Sequence, residues 1–183
     1  MKAFVTSIGE PTTDLCLWSL QRNGFETVLL EDPSTSLWEK LKTIYEMAED
    51  DFVRVDADII INRRFTPTML SWLPIKNSDC WWWQFICFDI LKLDITHSMA
   101  YTKKIAIPFL RSNINRVMNS NRPETEMSRI QEFHNPRRFD TYTDEIMGLH
   151  GYKADIERAK KQKHIRNQQG LYDFEMAERL NKL

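Results

Sequence analysis

Asp56-Ala57-Asp58 places two carboxylates two residues apart, between the apolar runs Phe52-Val53-Arg54-Val55 and Ile59-Ile60-Ile61. Carboxylates held between buried segments are costly unless they are paired or bind a metal. At one strand end the two can share a divalent cation. Their oxygen donors suit Mg²⁺ or Mn²⁺, and a nucleotide diphosphate supplies the remaining coordination. Such a cation offsets charge on a departing diphosphate. Two later segments carry further chemistry. Glu124 and Glu126 lie in Pro123-Glu124-Thr125-Glu126-Met127-Ser128-Arg129, where acidic residues also suit the start of a helix. His150 stands in Gly148-Leu149-His150-Gly151-Tyr152-Lys153, and a neutral imidazole supplements two carboxylates around Mn²⁺. His134 and His97 are further histidines with the same capacity.

The elements that must position these groups follow from periodicity. Ala3 to Ile8 is a short apolar run closed by Gly9-Glu10-Pro11, which predicts a buried strand and a loop. Leu15, Trp18 and Leu20 follow Thr12-Thr13-Asp14 and precede Asn23-Gly24, which predicts a helix with its start and stop signals. Phe25 to Leu30 predicts a second strand, closed by Glu31-Asp32-Pro33. Ser36 and Glu39 have the spacing of a capping box, ahead of Leu37, Trp38, Leu41, Ile44, Tyr45 and Ala48 at helical spacing. Phe52 to Val55 is the third strand. This alternation is the signature of βαβ units and a parallel sheet, whose ligands bind at the carboxyl ends of the strands. Thr6-Ser7, Glu31-Asp32 and Asp56-Asp58 are those ends, so a ligand crevice is expected there.

The chain has 183 residues, enough for one domain with its own core. With 42% apolar and 28% charged residues it has a globular composition. Its 25 basic and 26 acidic residues leave no basic surplus for coating nucleic acid. No window is long and apolar enough for a membrane span, and the opening residues are too short for a signal peptide. Cys16, Cys80 and Cys87 lack metal or disulfide spacing, which suits reduced thiols in a cytoplasmic protein. Trp81 to Ile90 predicts one or two more strands at a mixed edge, with Trp81, Trp82 and Trp83 filling core on both faces. Met99 to Leu110 is expected to be a helix ended near Pro108, and 111–145 a loop with one helix from Glu124 to Phe133. Tyr152 to Leu183 is expected to form surface helices, with Lys160, Lys161, Lys163 and Arg166 on a solvated face.

Phe52 to Ile60 resembles the Asp-x-Asp segment of glycosyltransferases with the GT-A fold. The opening of the chain fits the same pattern, and the resemblance is best over residues 1–73. It implies a three-layer α/β/α Rossmann-like domain with a mostly parallel, mixed central sheet. Residues 1–73 would form the nucleotide-sugar-binding half, 74–150 the acceptor side, and 151–183 a helical extension. By the resemblance, Thr6, Ser7 and Asp32 or Glu31 hold the base, Asp56 touches the ribose or the metal, and Asp58 is the main metal ligand. The segment from Pro123 resembles the acidic motif of family 2-like inverting enzymes, which implies Glu124 or Glu126 as general base. The Gly148–Lys153 segment resembles a late motif of family 8-like retaining enzymes, which implies His150 as a further metal ligand and Lys153 on the diphosphate. The two point to opposite stereochemistry, so inversion and retention both stay open. The family default is a uridine diphosphate donor, with glucose the commonest sugar, and a hydroxyl acceptor. A chain this short resembles accessory transferases of the phage type.

Three other readings use similar groups. A haloacid-dehalogenase-like phosphatase wants the triplet after its first strand, whereas here it follows the third. A metal-dependent nucleotidyltransferase would usually show a glycine-rich phosphate loop, and none of the five glycines forms one. A non-catalytic or degenerate nucleotide-sugar-binding protein would keep the donor site but need neither Glu124 nor Glu126.

Overall fold

The computed structural model describes residues 1–76, 80–134, 139–142 and 145–152, together with Arg179 and Lys182. Lys153, Lys160, Lys161, Lys163 and Arg166, with nearly all of the helices expected after Tyr152, lie outside them. The first half follows the expected alternation: β1 (Lys2–Ser7), α1 (Thr13–Arg22), β2 (Glu26–Glu31), α2 (Leu37–Met47) and β3 (Phe52–Asp56). The capping box at the start of α2 forms as expected: the Ser36 hydroxyl accepts from the Glu39 amide, and the Glu39 carboxylate accepts from the Ser36 amide. A two-residue turn then leads into β4 (Ile59–Ile61), and α3 (Pro67–Lys76) follows.

The second half departs from the expectation at several points, among them a strand at Phe139–Tyr142 and a 3-10 turn at Ile114–Val117 where loop is expected. Trp82–Asp89 is one strand, β5, and it lies inside the sheet rather than at an edge. It pairs with β6 (Asp94–Thr102) on one side and with β7 (Phe139–Tyr142) and β8 (Gly148–His150) on the other. Met99 to Thr102, expected as helix, belongs to β6. The helix begins later, as α4 (Ile107–Asn113), with Pro108 in its first turn rather than at its end. Proline suits that position because its missing amide would have no intrahelical partner. Helix α5 (Pro123–His134) forms where expected.

The eight strands make one mixed sheet in the order β2-β1-β3-β6-β5-β8-β4, with β7 beside β5. β1 pairs in parallel with both β2 and β3. The turn to antiparallel comes at β3–β6. Alternation along the strands sorts side chains between two apolar layers. Ala3, Val5, Val53 and Val55 pack with Cys16 and Leu20 of α1 and Leu70 of α3. Phe4 and Phe52 point the other way, meeting edge to face at 5.4 Å, and join Leu41 and Ile44 of α2, Leu110 of α4 and Met127 of α5. Each large apolar side chain among them, fully buried, contributes about 1.5–3 kcal/mol. Helices thus cover both faces, giving three layers. Trp83 and Trp82 are buried, Trp83 against Tyr101 at 5.3 Å, as expected of core residues. The three cysteines are buried free thiols. No helix among the described residues is long and apolar enough to cross a membrane.

Candidate active site

The turn carrying Asp56, Ala57 and Asp58 is clamped from three sides. The Ala57 amide donates to the Thr6 carbonyl at 3.0 Å, continuing the β1–β3 ladder one residue past the strand. The Thr12 hydroxyl, ahead of α1, donates to the Ala57 carbonyl at 3.0 Å. The Gly151 amide donates to the Asp58 carbonyl, also at 3.0 Å. Ala57 is fully buried, so the two aspartates leave a fixed point in different directions.

Asp56 continues the side-chain face of Arg54. Its Oδ1 accepts from the Thr6 hydroxyl at 2.7 Å and from Arg54 Nη1 at 2.8 Å. The guanidinium is buried; burial opposes its charge, but Asp56 and then Glu124 outweigh that and hold it charged. Glu124, in the first turn of α5, therefore faces Arg54 across the second apolar layer, close enough to raise the Tyr45 phenol as well, though burial is the larger cause there. Glu124 Oε1 is 3.6 Å from Arg122, and its Oε2 is buried without a hydrogen bond. Glu126, one residue past Thr125, points elsewhere: it is exposed and pairs with Arg129 at 2.7 Å. The structure thus brings one member of the acidic pair toward Arg54 and leaves the other on the surface.

Ser7 forms the second group. Its hydroxyl stands 2.9 Å from Glu10 Oε2, 3.0 Å from the Thr13 hydroxyl and 3.2 Å from Glu31 Oε1. Lys40 of α2 is buried and donates through Nζ to the Ser7 carbonyl. Of Glu31, which ends β2, and Asp32, which follows it, Glu31 reaches this group. Asp32 folds back on its own loop, where the Ser34 hydroxyl, then the Thr35 hydroxyl and the Ser34 amide, pull its carboxyl down to about 2.

The third group is only half expected from the sequence. His150 ends β8, paired to Ile59 of β4 and to Asp89 of β5. Its Nε2 is 3.3 Å from Asp58 Oδ2 and its Nδ1 is 3.1 Å from Asp89 Oδ2. Burial opposes a charge on the imidazole, yet Asp58 and Asp89 outweigh it and push His150 up to about 9. Burial raises the Asp58 carboxyl, with Asp56 and Glu10 adding to the rise and His150 opposing it. Asp89 is almost wholly buried; burial acts to raise its carboxyl, but His150, with Lys92 and the Leu91 amide, outweighs it and lowers it. Two glycines let β8 enter this space. A Cβ on Gly148 would lie 2.8 Å from the Ile60 carbonyl oxygen, and Gly151 adopts φ +76°. That region of φ favours glycine.

Asp89 joins the site without having been expected there, although it ends an apolar strand just as Asp56 does, and that is the signal by which it is legible. Arg54 and Lys40 are equally unannounced, because a lone basic residue inside an apolar pattern has no sequence mark of its own. Lys153 is outside the described residues.

These groups admit a cation at Asp58 and His150. Asp58 Oδ1 is buried and makes no hydrogen bond, an orphan that a cation would satisfy. Two donors about 2.1 Å from one ion, at right angles, stand about 3.0 Å apart, close to the 3.3 Å between Nε2 and Oδ2. Among the described residues no three His, Cys, Asp or Glu side chains form a ready chelate. Asp56 fits less well than expected for a ligand, since Arg54 already neutralises its Oδ1. A cation here would therefore have two protein donors, Asp58 and His150.

No protein-family model matches the chain, and no curated protein matches it in sequence. A solved structure shares its fold, and others align with lower scores. A glycosyltransferase involved in the glycosylation of the major capsid of PBCV-1 aligns with a TM-score of 0.57 at 13% identity, covering 90% of this chain and 98% of that one. CMP:2-keto-3-deoxy-manno-octonic acid synthetase, in complex with CTP, gives 0.49 at 10% identity, over 92% and 99% of the two chains. A hypothetical transferase from Thermus thermophilus gives 0.45 at 13%, over 75% and 83%.

Proposed function

We propose that the chain is a metal-dependent glycosyltransferase that moves a sugar from a nucleotide diphosphate, a uridine diphosphate sugar by the family default, to a hydroxyl acceptor. The observation that carries this reading is the convergence of Asp58, with its orphaned buried oxygen, and His150 beside the carboxyl ends of β1 and β3. Mn²⁺ or Mg²⁺ held by Asp58 and His150 would stabilise negative charge on the leaving diphosphate. The chain's own groups then divide the remaining work. Ser7 and Glu31 read the base at the ends of β1 and β2. Asp56, fixed by Thr6 and Arg54, accepts from the ribose hydroxyls. Glu124 takes the proton from the acceptor hydroxyl, because its Oε2 has no hydrogen bond to give up. Lys153 adds a cation for the diphosphate. A positioned base of this kind contributes on the order of 10²–10⁴-fold in rate.

Calorimetric titration of UDP, with Mn²⁺ and with EDTA, on wild type and Asp58→Ala tests the donor site. Binding that needs both Mn²⁺ and Asp58 supports the reading and opens a screen of sugars and acceptors. Absence of binding for UDP and GDP under every condition sinks it.

A further inference from the structure

A cation at Nε2 must displace the proton that the ring carries there without it, and the proton that remains must then sit on Nδ1. Asp89 is placed to hold it there. Its Oδ2 lies 3.1 Å from Nδ1, both atoms are buried, and neither makes an aligned hydrogen bond to any group. Lys92 Nζ stands further from Oδ2, at 3.7 Å. The other oxygen, Oδ1, is occupied by the backbone: the Leu91 amide donates to it at 2.9 Å and the Lys92 amide at 3.2 Å. Those two bonds fix the carboxylate plane, so Oδ2 is aimed rather than free to rotate. The register aims the ring as well, because Asp89 and His150 are direct partners across β5 and β8, and the Ile90 amide donates to the His150 carbonyl at 3.0 Å.

We propose that Asp89 is a positioning residue that holds His150 as its Nδ1–H tautomer, with Nε2 turned toward Asp58, and so builds half of the cation site. The inference rests on the metal reading of Asp58 and His150. A carboxylate behind a ligating histidine fixes the ring and raises its basicity, and loss of such a partner costs about 10–100-fold in metal affinity.

Asp89→Asn separates this role from a merely structural one. The amide oxygen can keep the bonds from Leu91 and Lys92, so the turn survives. The amide nitrogen then faces Nδ1 as a donor, which drives the ring proton to Nε2 and removes the lone pair from the cation side. Mn²⁺ binding, in the presence of UDP, is read from the loss of the free-ion electron paramagnetic resonance signal. The tautomer is read from ¹⁵N histidine shifts with Mg²⁺ and UDP, and folding from the melting temperature in EDTA. The expected result is an Mn²⁺ affinity about 10–100-fold weaker in D89N, a switch to the Nε2–H tautomer and a nearly unchanged melting temperature. Asp89→Glu, which restores a carboxylate, recovers part of the affinity. Should wild type and D89N bind Mn²⁺ equally, the inference falls while the metal reading stands. Should wild type bind no Mn²⁺ at all, both fall together.

Discussion

Arg54 and Asp56 sit two residues apart on one face of β3, share a 2.8 Å hydrogen bond and differ in depth: the guanidinium side chain is 11% exposed and the carboxylate 39%. Removing Asp56 therefore strands a buried cation, with Glu124 as the acidic group left near it. Loss of one partner from a fully buried pair costs about 3–5 kcal/mol, and the exposure of Asp56 brings this to roughly 2–3 kcal/mol. For a chain of this size that is a fall of about 5–10 °C in melting temperature for Asp56→Ala. Asp58 is the opposite case. Burial disfavours its charge and one oxygen has no partner. Asp58→Asn is expected to melt within about 3 °C of wild type in EDTA, or above it, while losing Mn²⁺-dependent UDP binding. Equal destabilisation by the two substitutions, measured by calorimetry, contradicts this account.

The acidic pair of α5 is expected to split in function. Glu124→Gln should lower turnover by on the order of 10²–10⁴-fold and leave UDP affinity unchanged. Glu126→Gln only breaks an exposed pair with Arg129, so turnover should stay within about twofold. Steady-state kinetics with the acceptor found by screening decides it; a larger effect at Glu126 would reverse the assignment.

Gly148→Ala should destabilise by about 1–3 kcal/mol, because its Cβ meets backbone rather than a flexible side chain. Gly9→Ala is the control. It carries a positive φ, which Gly148 does not, and nothing lies close to the added carbon, so only backbone strain of about 1 kcal/mol is expected. The discriminating measurement is Mn²⁺ affinity at a temperature where both variants are folded: it should fall for Gly148→Ala and hold for Gly9→Ala.

Burial, reinforced by Asp58 and Asp56, pushes the Cys16 and Cys87 thiols up to about 12. Both stay neutral in the folded protein at about pH 8–9, and neither should react with iodoacetamide until the chain unfolds. The stability effect has a definite sign. A thiol whose folded value lies above its unfolded one, about 8.5, stabilises fully below that pH. The contribution is then lost as pH climbs from about 9 to about 12. Mass-spectrometric labelling in native buffer and in urea checks the first point, and urea midpoints across mildly alkaline pH check the second.

The first half of the fold is legible because each strand there is a short apolar run closed by polar residues, and α2 carries its own capping box. The carboxyl ends of β1, β2 and β3 follow from that alternation alone. Reading fails where local signals are ambiguous. Met99-Ala100-Tyr101 is apolar and short, and runs of that length suit helix or strand until a partner decides; β5 decides it. Pro108 looks the same before and inside a first turn. Helix α3 has a start signal in Thr66 ahead of Pro67, and the Thr66 hydroxyl accepts from the Met69 amide at 3.2 Å, yet no apolar stripe follows to draw attention to it. β8 is too short for any periodicity, so His150 is nominated by its type and its flanking motif and not by place.

That short strand also orders events in time. β1, β2 and β3 are joined through nearby helices and can pair as soon as residue 56 is made. β4 cannot: its ladder partner is β8, far along the chain, and β8 in turn docks on β5. Such distant pairing carries the larger loop-closure cost and comes slowly. During synthesis the carboxyl ends of β1, β2 and β3 therefore come together before Asp58 meets His150. A nascent chain halted before Gly148 has the Asp58 turn clamped only through Thr6 and Thr12, with no imidazole opposite it, and the last described strand brings the imidazole and the Gly151 clamp together.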